Sequence, residues 1–168
     1  MKKLLVMAVA AMFYVACQPA EESAPETSVF DENCATVRAV VDDFQNEVAN
    51  FEHYSADFIR RQSKYNTTGD SIGLEQFKTN RLNWWAKYDA KLLNDLRLLP
   101  GVNPRTLETD GSVRYYAQWQ ITKTATDSTE AKSIQVPLYV SFDFDSEGKI
   151  LFQQVYGDMT AAFQELNN

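Results

Sequence analysis

Alternating apolar and polar residues organise the last third of the chain, from Ser133 to Asp158. Two such runs flank the turn-forming stretch 145–148 (Asp-Ser-Glu-Gly). Alternation with a period of two indicates β-strands that are buried on one face. The first run buries Val136, Leu138, Val140, Phe142 and Phe144, and the second begins at Ile150 and leads to Tyr156. We therefore expect a long β-hairpin here.

A third alternating run precedes this hairpin and follows Asp110-Gly111. Its apolar face carries Val113, Tyr115, Ala117, Trp119 and Ile121. Asp-Gly is a strong signal for a two-residue hairpin turn, so the sequence predicts that a strand reverses at 110–111.

Helical periodicity replaces alternation in the first half of the chain. Residues 37–51 carry apolar side chains at steps of three and four, which predicts a helix with Asp31 as its N-cap. Tyr54 and Phe58 continue the stripe and predict a short second helix, followed by a strand over 58–65. The same reasoning predicts a helix from Leu74 to Leu93, a strand over 96–99 and a short helix over 157–166.

Helices followed by a run of long antiparallel strands indicate an α+β domain, with the helices covering one face of a curved sheet. We assign residues 31–168 to this domain. The 168 residues, of which 45% are hydrophobic, are enough for one domain with a core.

The first 30 residues have a different character. Residues 1–16 combine a basic start with a short apolar run, as in a secretory signal peptide. Cys17 follows Tyr14-Val15-Ala16, which resembles a bacterial lipobox and implies lipidation of Cys17, although Tyr14 replaces the usual aliphatic residue. Ordinary secretion is the alternative. Residues 17–30 are acidic and rich in Pro and Ser, typical of a disordered tether, and resemble Bacteroidetes surface-export tethers. We therefore expect a lipoprotein anchored to the outer membrane, on the periplasmic side or at the surface.

Charge and metal-binding residues narrow the classes of partner. The formal net charge is −7, or −9 once Lys2 and Lys3 are removed, which disfavours nucleic acid and anionic lipid. Membrane attachment would come from Cys17, since an acidic domain does not bind the surface. With Cys34 as the remaining cysteine and His53 as the one histidine, no zinc cluster is predicted. We predict neither a metal nor a cofactor.

Two short motifs have alternative interpretations. Residues 143–148 match the first half of an EF-hand loop, but position twelve is Gln154, so a hairpin turn is the better interpretation. The triplets starting at Asp70 and Asp127 resemble Bacteroidetes O-glycosylation sites, but a helix cap at Asp70 or Ser71 is the favoured interpretation.

The order of these features resembles the nuclear transport factor 2-like superfamily, in its SnoaL-like branch. The resemblance rests on the amphipathic start 37–51, residues 54–58 (Tyr-Ser-Ala-Asp-Phe), the Asp110-Gly111 hairpin, and residues 142–150 followed by Tyr156 and Asp158. It implies a cone-shaped α+β barrel with helices wrapped by a bent sheet and often a cavity inside. Members include ketosteroid isomerases, polyketide cyclases and dehydratases, together with domains that bind ligands or dimerise.

The resemblance also suggests site residues. A carboxylate in an apolar cone has a raised pKa and can act as a base. Asp158 fits that role, with Tyr156 expected on the concave side and His53 or Tyr54 on the facing wall. In the simpler interpretation Asp158 caps the last helix and Tyr156 packs. The ligand pocket would be lined from a set of aromatic residues: Tyr54, Trp84, Trp85, Tyr88, Tyr115, Trp119, Tyr139 and Tyr156.

Three functions follow. The first is a membrane-tethered, extracytoplasmic, non-catalytic module that binds a small apolar or amphipathic ligand or a partner protein. The second is an isomerase, dehydratase or cyclase that uses a pocket aspartate as general base. The third is an assembly module that forms homodimers through its sheet face.

Overall fold

The first helix is fixed by a capping box one turn earlier than predicted. The computed structural model describes residues 28–63, 70–127, 129–157 and 159–168. Helix α1 (Val29–Gln45) has Ser28, not Asp31, as its N-cap: the Ser28 hydroxyl accepts from the Asp31 backbone N–H at 3.2 Å, while Asp31 bonds back to Ser28. Asp31 is thus the third helical residue, where a carboxylate satisfies a free N–H group and suits the helix dipole.

The helix also ends earlier than the predicted 37–51. Asn46 is its C-cap, and Glu47 adopts a positive φ of 56°, which takes the chain out of the helical conformation. Val48 is consequently exposed, whereas Phe51 packs on the core from the connecting segment.

Two segments predicted as helix are strands. Tyr54 and Phe58 belong to β1 (Tyr54–Gln62), and the predicted helix 74–93 divides into α2 (Leu74–Trp85) and β3 (Tyr88–Leu92). The four-residue spacing of Tyr54 and Phe58 imitates a helical step in a strand whose register shifts between Tyr54 and Ile59. Pairing with distant strands decides both cases, which local periodicity cannot reveal.

Seven strands form one sheet in the order β2-β1-β7-β6-β5-β3, with β4 pairing to another stretch of β5. The remaining strands are β2 (Ser71–Gly73), β4 (Arg97–Val102), β5 (Thr109–Lys123), β6 (Lys132–Phe144) and β7 (Ile150–Tyr156), and the chain ends with α3 (Thr160–Asn167). β1 and β7 are parallel; the other pairs are antiparallel. The α+β class with helices on a strongly curved sheet is confirmed.

The Asp110-Gly111 hairpin prediction is wrong. Both residues lie inside β5, and the reversal between β4 and β5 occurs over 103–108. Gly111 has a φ of 76°, and its carbonyl accepts from Asn33 of α1 at 2.8 Å. The local geometry that Asp-Gly favours therefore serves a kink near the end of a strand, under the first helix.

The β6–β7 hairpin is confirmed. The Asp145 carboxylate accepts from the backbone N–H groups of Glu147 and Lys149 at 2.9 and 3.0 Å, and Gly148 has a φ of 74°. The acidic residues of this segment thus build a turn.

The helices pack on the concave face of the sheet and leave the convex face open. The apolar face of β5 is buried as predicted, and Trp119 is only 1% exposed. Tyr116, on the opposite face of the same strand, is 51% exposed. α1 crosses β5, α2 packs against β1, and α3 lies beside β6. The core thus lies within the cone, where the candidate site is found.

Candidate functional site

A cavity opens into the cone between α1, α2, α3 and the concave face. Its outer compartment has a volume of about 200 Å³ and the inner one about 100 Å³. The two compartments are adjacent, because six residues line both: Phe44, Arg60, Arg81, Trp119, Leu138 and Val155. Met159 and Phe163, from the C-terminal segment, line only the outer compartment and mark its mouth.

Four of the predicted aromatic residues line this cavity. Trp84 faces the outer compartment, Tyr54 and Tyr115 face the inner one, and Trp119 faces both. They come from three elements, α2, β1 and two positions of β5, and the curvature of the sheet brings them together.

Two further aromatic residues support the wall from behind. Trp85 donates its indole N–H to the Phe44 carbonyl at 3.1 Å, and Tyr88 packs on Trp84 with ring centroids 5.6 Å apart. The Tyr88 hydroxyl also lies 3.3 Å from the Asn167 side-chain oxygen, which ties β3 to α3. Neither ring lines the two compartments.

Tyr139 and Tyr156 were predicted in the pocket, with Tyr156 on the concave side, and this is wrong. They lie on the convex face, where Tyr116, Tyr139 and Tyr156 form a row across β5, β6 and β7 with centroid distances of 4.7 and 5.3 Å. Residues alternate between the faces of a strand. Since Leu138 and Val155 line the cavity, their neighbours must face outward.

The predicted catalytic set is not assembled in the described part of the chain. His53 precedes β1, its carbonyl accepts from the Ile150 N–H at 2.8 Å, and it lines neither compartment. Asp158, the candidate base, lies outside the described residues, as do the lipidation candidate Cys17 and residue 128 of one glycosylation triplet. Among the described residues that line the cavity, no carboxylate, imidazole or thiol is present.

Two arginines in the wall are the feature that sequence analysis missed. Arg60 projects from β1 and Arg81 from α2, and their guanidinium carbons lie 5.8 and 5.0 Å from the centroid of the Phe77 ring. Arg81 also stacks on Phe44 at 4.1 Å. A signal existed in α2, because Phe77, Arg81 and Trp85 are spaced by four and share one helix face. Arg81 therefore lies on the face that packs inward.

Burial changes the electrostatics of these groups. It lowers the pKa of Arg60 to about 10, with a further contribution from the charge of Arg81, and it also lowers the pKa of Arg81. Burial raises the pKa of the Tyr54 and Tyr115 hydroxyls. At neutral pH the cone thus holds two positive charges beside two neutral phenols.

No acidic residue of the described ranges forms an ion pair with either arginine within 4.0 Å. Asp43 lines a void of about 10 Å³ together with Arg81 and Tyr54, and one of its carboxylate oxygens is buried without a hydrogen-bond partner. The Arg60 guanidinium reaches the Gln62 side-chain oxygen at 3.3 Å. Among the residues that the structure describes, neither positive charge therefore has a bonded counter-ion.

Three buried polar atoms that belong to cavity-lining residues also have no hydrogen-bond partner: Arg60 Nε, Trp119 Nε1 and Gln153 Oε1. The Trp119 indole is close enough to Tyr115 to oppose the rise in the pKa of its hydroxyl, but no hydrogen bond of normal geometry forms. Buried polar atoms are nearly always satisfied in folded proteins, so a cluster of unsatisfied ones beside a cavity indicates a place for solvent or ligand atoms.

The described ranges contain neither a metal-binding cluster nor a membrane-spanning helix. No group of three or more His, Cys, Asp or Glu side chains there could hold a metal ion. Of the helices described, none has the length and apolar character needed to cross a bilayer.

Solved structures share this architecture at low sequence identity. A protein proposed to be a polyketide cyclase from Xanthomonas campestris is 14% identical, with a TM-score of 0.61 over 83% of this chain and 99% of that one. A similar protein from Silicibacter is 19% identical, with a TM-score of 0.61 over 82% and 96% of the two chains. The pinacolase BvnE from Penicillium brevicompactum is 13% identical, with a TM-score of 0.59 over 83% and 96%.

The chain has the nuclear transport factor 2-like fold. Its cavity therefore lies in the cone that characterises this fold. At identities below 20% the likeness establishes the nuclear transport factor 2-like architecture alone. No protein-family model matches the sequence, and no curated protein matches it.

Proposed function

We propose that this domain binds a small amphipathic molecule inside its cone and does not transform it. The observation that supports the proposal is the aromatic-walled cavity with unsatisfied polar atoms among its lining residues, because ligand sites are typically apolar with a few fixed polar groups. The described lining residues include no general base. The cavity is small beside typical pockets of about 300–1,000 Å³, so the ligand is small as well.

Mass spectrometry of the native protein purified from cells tests this function. Under non-denaturing conditions we expect a mass excess that disappears on denaturation. The Ala90→Leu variant, which narrows the outer compartment, should carry less of it. Gln118→Leu on the exposed face of the sheet is the matched control and should keep it. Equal occupancy in both variants would place the ligand elsewhere.

The same experiment under denaturing conditions tests the proposed cellular location. We propose that Cys17 carries lipid and tethers the domain to the outer membrane, on the periplasmic side or at the surface. The mature chain should then begin at residue 17 with an added lipid mass, and Cys17→Ser should release the protein from the membrane fraction. An unmodified mature chain would exclude the lipid anchor.

Proton transfer is the second candidate function, and the names of the structural neighbours favour it, since two are proposed polyketide cyclases. Asp158 would be the base in a SnoaL-like isomerase, dehydratase or cyclase. The test is solvent deuterium exchange at the α-carbons of 2-tetralone, followed by NMR. Exchange above the buffer rate that Asp158→Asn abolishes would establish catalysis, whereas exchange at the buffer rate would leave the binding function.

Homodimer formation is the third candidate, favoured by the row of Tyr116, Tyr139 and Tyr156 on the convex face. Tyr116 and Tyr156 are 51% and 48% exposed, and exposed aromatic clusters are common in protein interfaces. Sedimentation equilibrium should show a dimer that Tyr116→Glu dissociates. A monomer at all concentrations would exclude this role.

A further inference from the structure

The two arginines of the cone specify the chemistry of the ligand. We infer that the cone binds an organic monocarboxylate, whose charge is neutralised by Arg60 and Arg81 and whose apolar body fills the outer compartment. This inference rests on the ligand-binding function proposed above and names the ligand class for the same cavity.

The first argument is the cost of leaving these charges alone. Two guanidinium groups that are buried close enough for one to lower the pKa of the other repel each other and lose hydration. No carboxylate within 4.0 Å offsets this among the residues described. An incoming carboxylate lowers both costs at once, because it balances one of the two positive charges and accepts hydrogen bonds from the guanidinium groups, and charge-assisted bonds to arginine are stronger than neutral ones.

The second argument is the position of the charges. Both arginines line the inner as well as the outer compartment, so they stand where the two meet. The unsatisfied Nε of Arg60 and Nε1 of Trp119 are hydrogen-bond donors among the lining residues, and a carboxylate offers only acceptors. Two of the three missing partners are thus acceptors, and the third, at Gln153 Oε1, is a donor that a water molecule can supply.

The third argument distinguishes an organic anion from an inorganic one. Most of the outer wall is apolar, from residues such as Phe77, Ile121 and Phe163. Such a wall gains from covering a hydrocarbon or aromatic body and offers nothing to a hydrated ion.

Arg61 provides a matched control on the same strand. It neighbours Arg60 in sequence but is exposed, lines neither compartment, and lies 5.7 Å from the Phe152 ring. If the charge in the cavity binds the ligand, the affinity for a carboxylate should depend on Arg60 and not on Arg61.

The experiment uses probes with one skeleton and three head groups: 4-phenylbutyrate, 4-phenylbutanol and 4-phenylbutylamine, with hexanoate and inorganic phosphate as further probes. Calorimetry and the tryptophan fluorescence of the intact purified protein report binding. We expect 4-phenylbutyrate to bind at least tenfold more tightly than the alcohol and the amine. Arg60→Met or Arg81→Met should weaken the carboxylate at least tenfold and change the alcohol less than twofold, while Arg61→Met changes neither.

Each of the alternative outcomes contradicts a specific part of the two proposals. Equal binding of acid and alcohol, or carboxylate binding insensitive to both arginine variants, overturns the inference and leaves the ligand-binding function. If inorganic phosphate binds as tightly as 4-phenylbutyrate, the inference that the ligand carries an organic body is wrong. If no organic probe binds the folded protein, both proposals fail. Urea unfolding checks each variant, and Arg60→Lys, which keeps charge but loses the planar fork, replaces a variant that does not fold.

Discussion

Arg60 and Arg114 are both partly buried arginines on strands of the same sheet, yet their surroundings are opposite. Arg114, on the convex side, bonds to the Asp143 carboxylate at 3.2 Å and to the Phe142 carbonyl at 3.1 Å. Arg60, on the concave side, has a buried Nε without a partner and a second arginine as its charged neighbour. One arginine is satisfied by the fold, and the other is not.

The difference teaches where structure and function separate in this domain. On the convex side Nη1 of Arg114 donates to a carboxylate and to a strand carbonyl, so this arginine serves the sheet itself. On the concave side we expect the apolar wall to supply stability and the buried charges of the arginines to reduce it. Residues that lower the stability of a fold in a cavity are strong indicators of a binding site.

The largest expected effect is on the packing of the two faces. Trp119→Ala should lower the free energy of unfolding by about 3–5 kcal/mol, because it removes a fully buried ring. Tyr116→Ala, on the exposed face of the same strand, should cost about 1 kcal/mol or less. Urea denaturation measures both, and comparable losses would contradict the contrast between the faces.

Replacing Arg60 and replacing Arg114 should change the free energy of unfolding in opposite directions. Arg60→Met should raise the free energy of unfolding by about 1–4 kcal/mol, since it removes a buried charge that has no ion-pair partner among the described residues and keeps an apolar chain of similar length. Arg114→Met should lower it by about 1 kcal/mol, since Asp143 and a strand carbonyl lose their donor. A loss in both variants would mean that Arg60 has a structural partner.

Filling the cavity should increase stability and decrease ligand binding at the same time. Ala90 is buried and lines the outer compartment, so Ala90→Leu should add about 1 kcal/mol of stability by burying further methylene groups. It should also weaken 4-phenylbutyrate binding. Thermal unfolding with and without the probe measures both effects, and a destabilised variant would show that the void is too narrow for three more carbons.

The smallest effect concerns an exposed ion pair. Lys132 and Glu165 are 2.7 Å apart, and the hydrogen bond and charge of Lys132 lower the pKa of Glu165. A lowered pKa gives a contribution that is present above the ordinary value of 4.5 and is lost as the pH falls through the folded value. Because intrinsic amide exchange itself slows as the pH falls, the quantity to compare is the protection factor. Amide protection in α3 should therefore decrease on acidification in the wild type. Glu165→Gln should abolish that dependence and leave the global unfolding transition unchanged.

The sequence predicted the fold class and the long strands because alternation is a local signal that burial on one face enforces. Val113, Trp119 and Phe142 lie where their period placed them. It failed at Tyr54–Phe58 and Tyr88–Leu92, where pairing with β7 and β5 overrides a helical spacing.

The candidate site was partly predictable for a similar reason. Aromatic residues identified much of the wall, but Tyr139 and Tyr156 were predicted on the wrong face of the sheet. Side chains alternate along a strand, so the neighbours of Leu138 and Val155, which face the cavity, must face outward. Arg60 and Arg81 were missed because an arginine in a strand or helix usually faces solvent. Only the closure of the sheet shows that they do not.

The parallel pairing of β1 with β7 has a consequence for biosynthesis. β1 bonds only to β2 and β7, so the strand that carries Arg60 has no long partner until residues near 156 have left the ribosome. Loop closure over nearly a hundred residues is slow, and the cone cannot be sealed progressively from its amino-terminal end. Folding of this domain on the ribosome should therefore occur as one late event, after most of the chain has been synthesised.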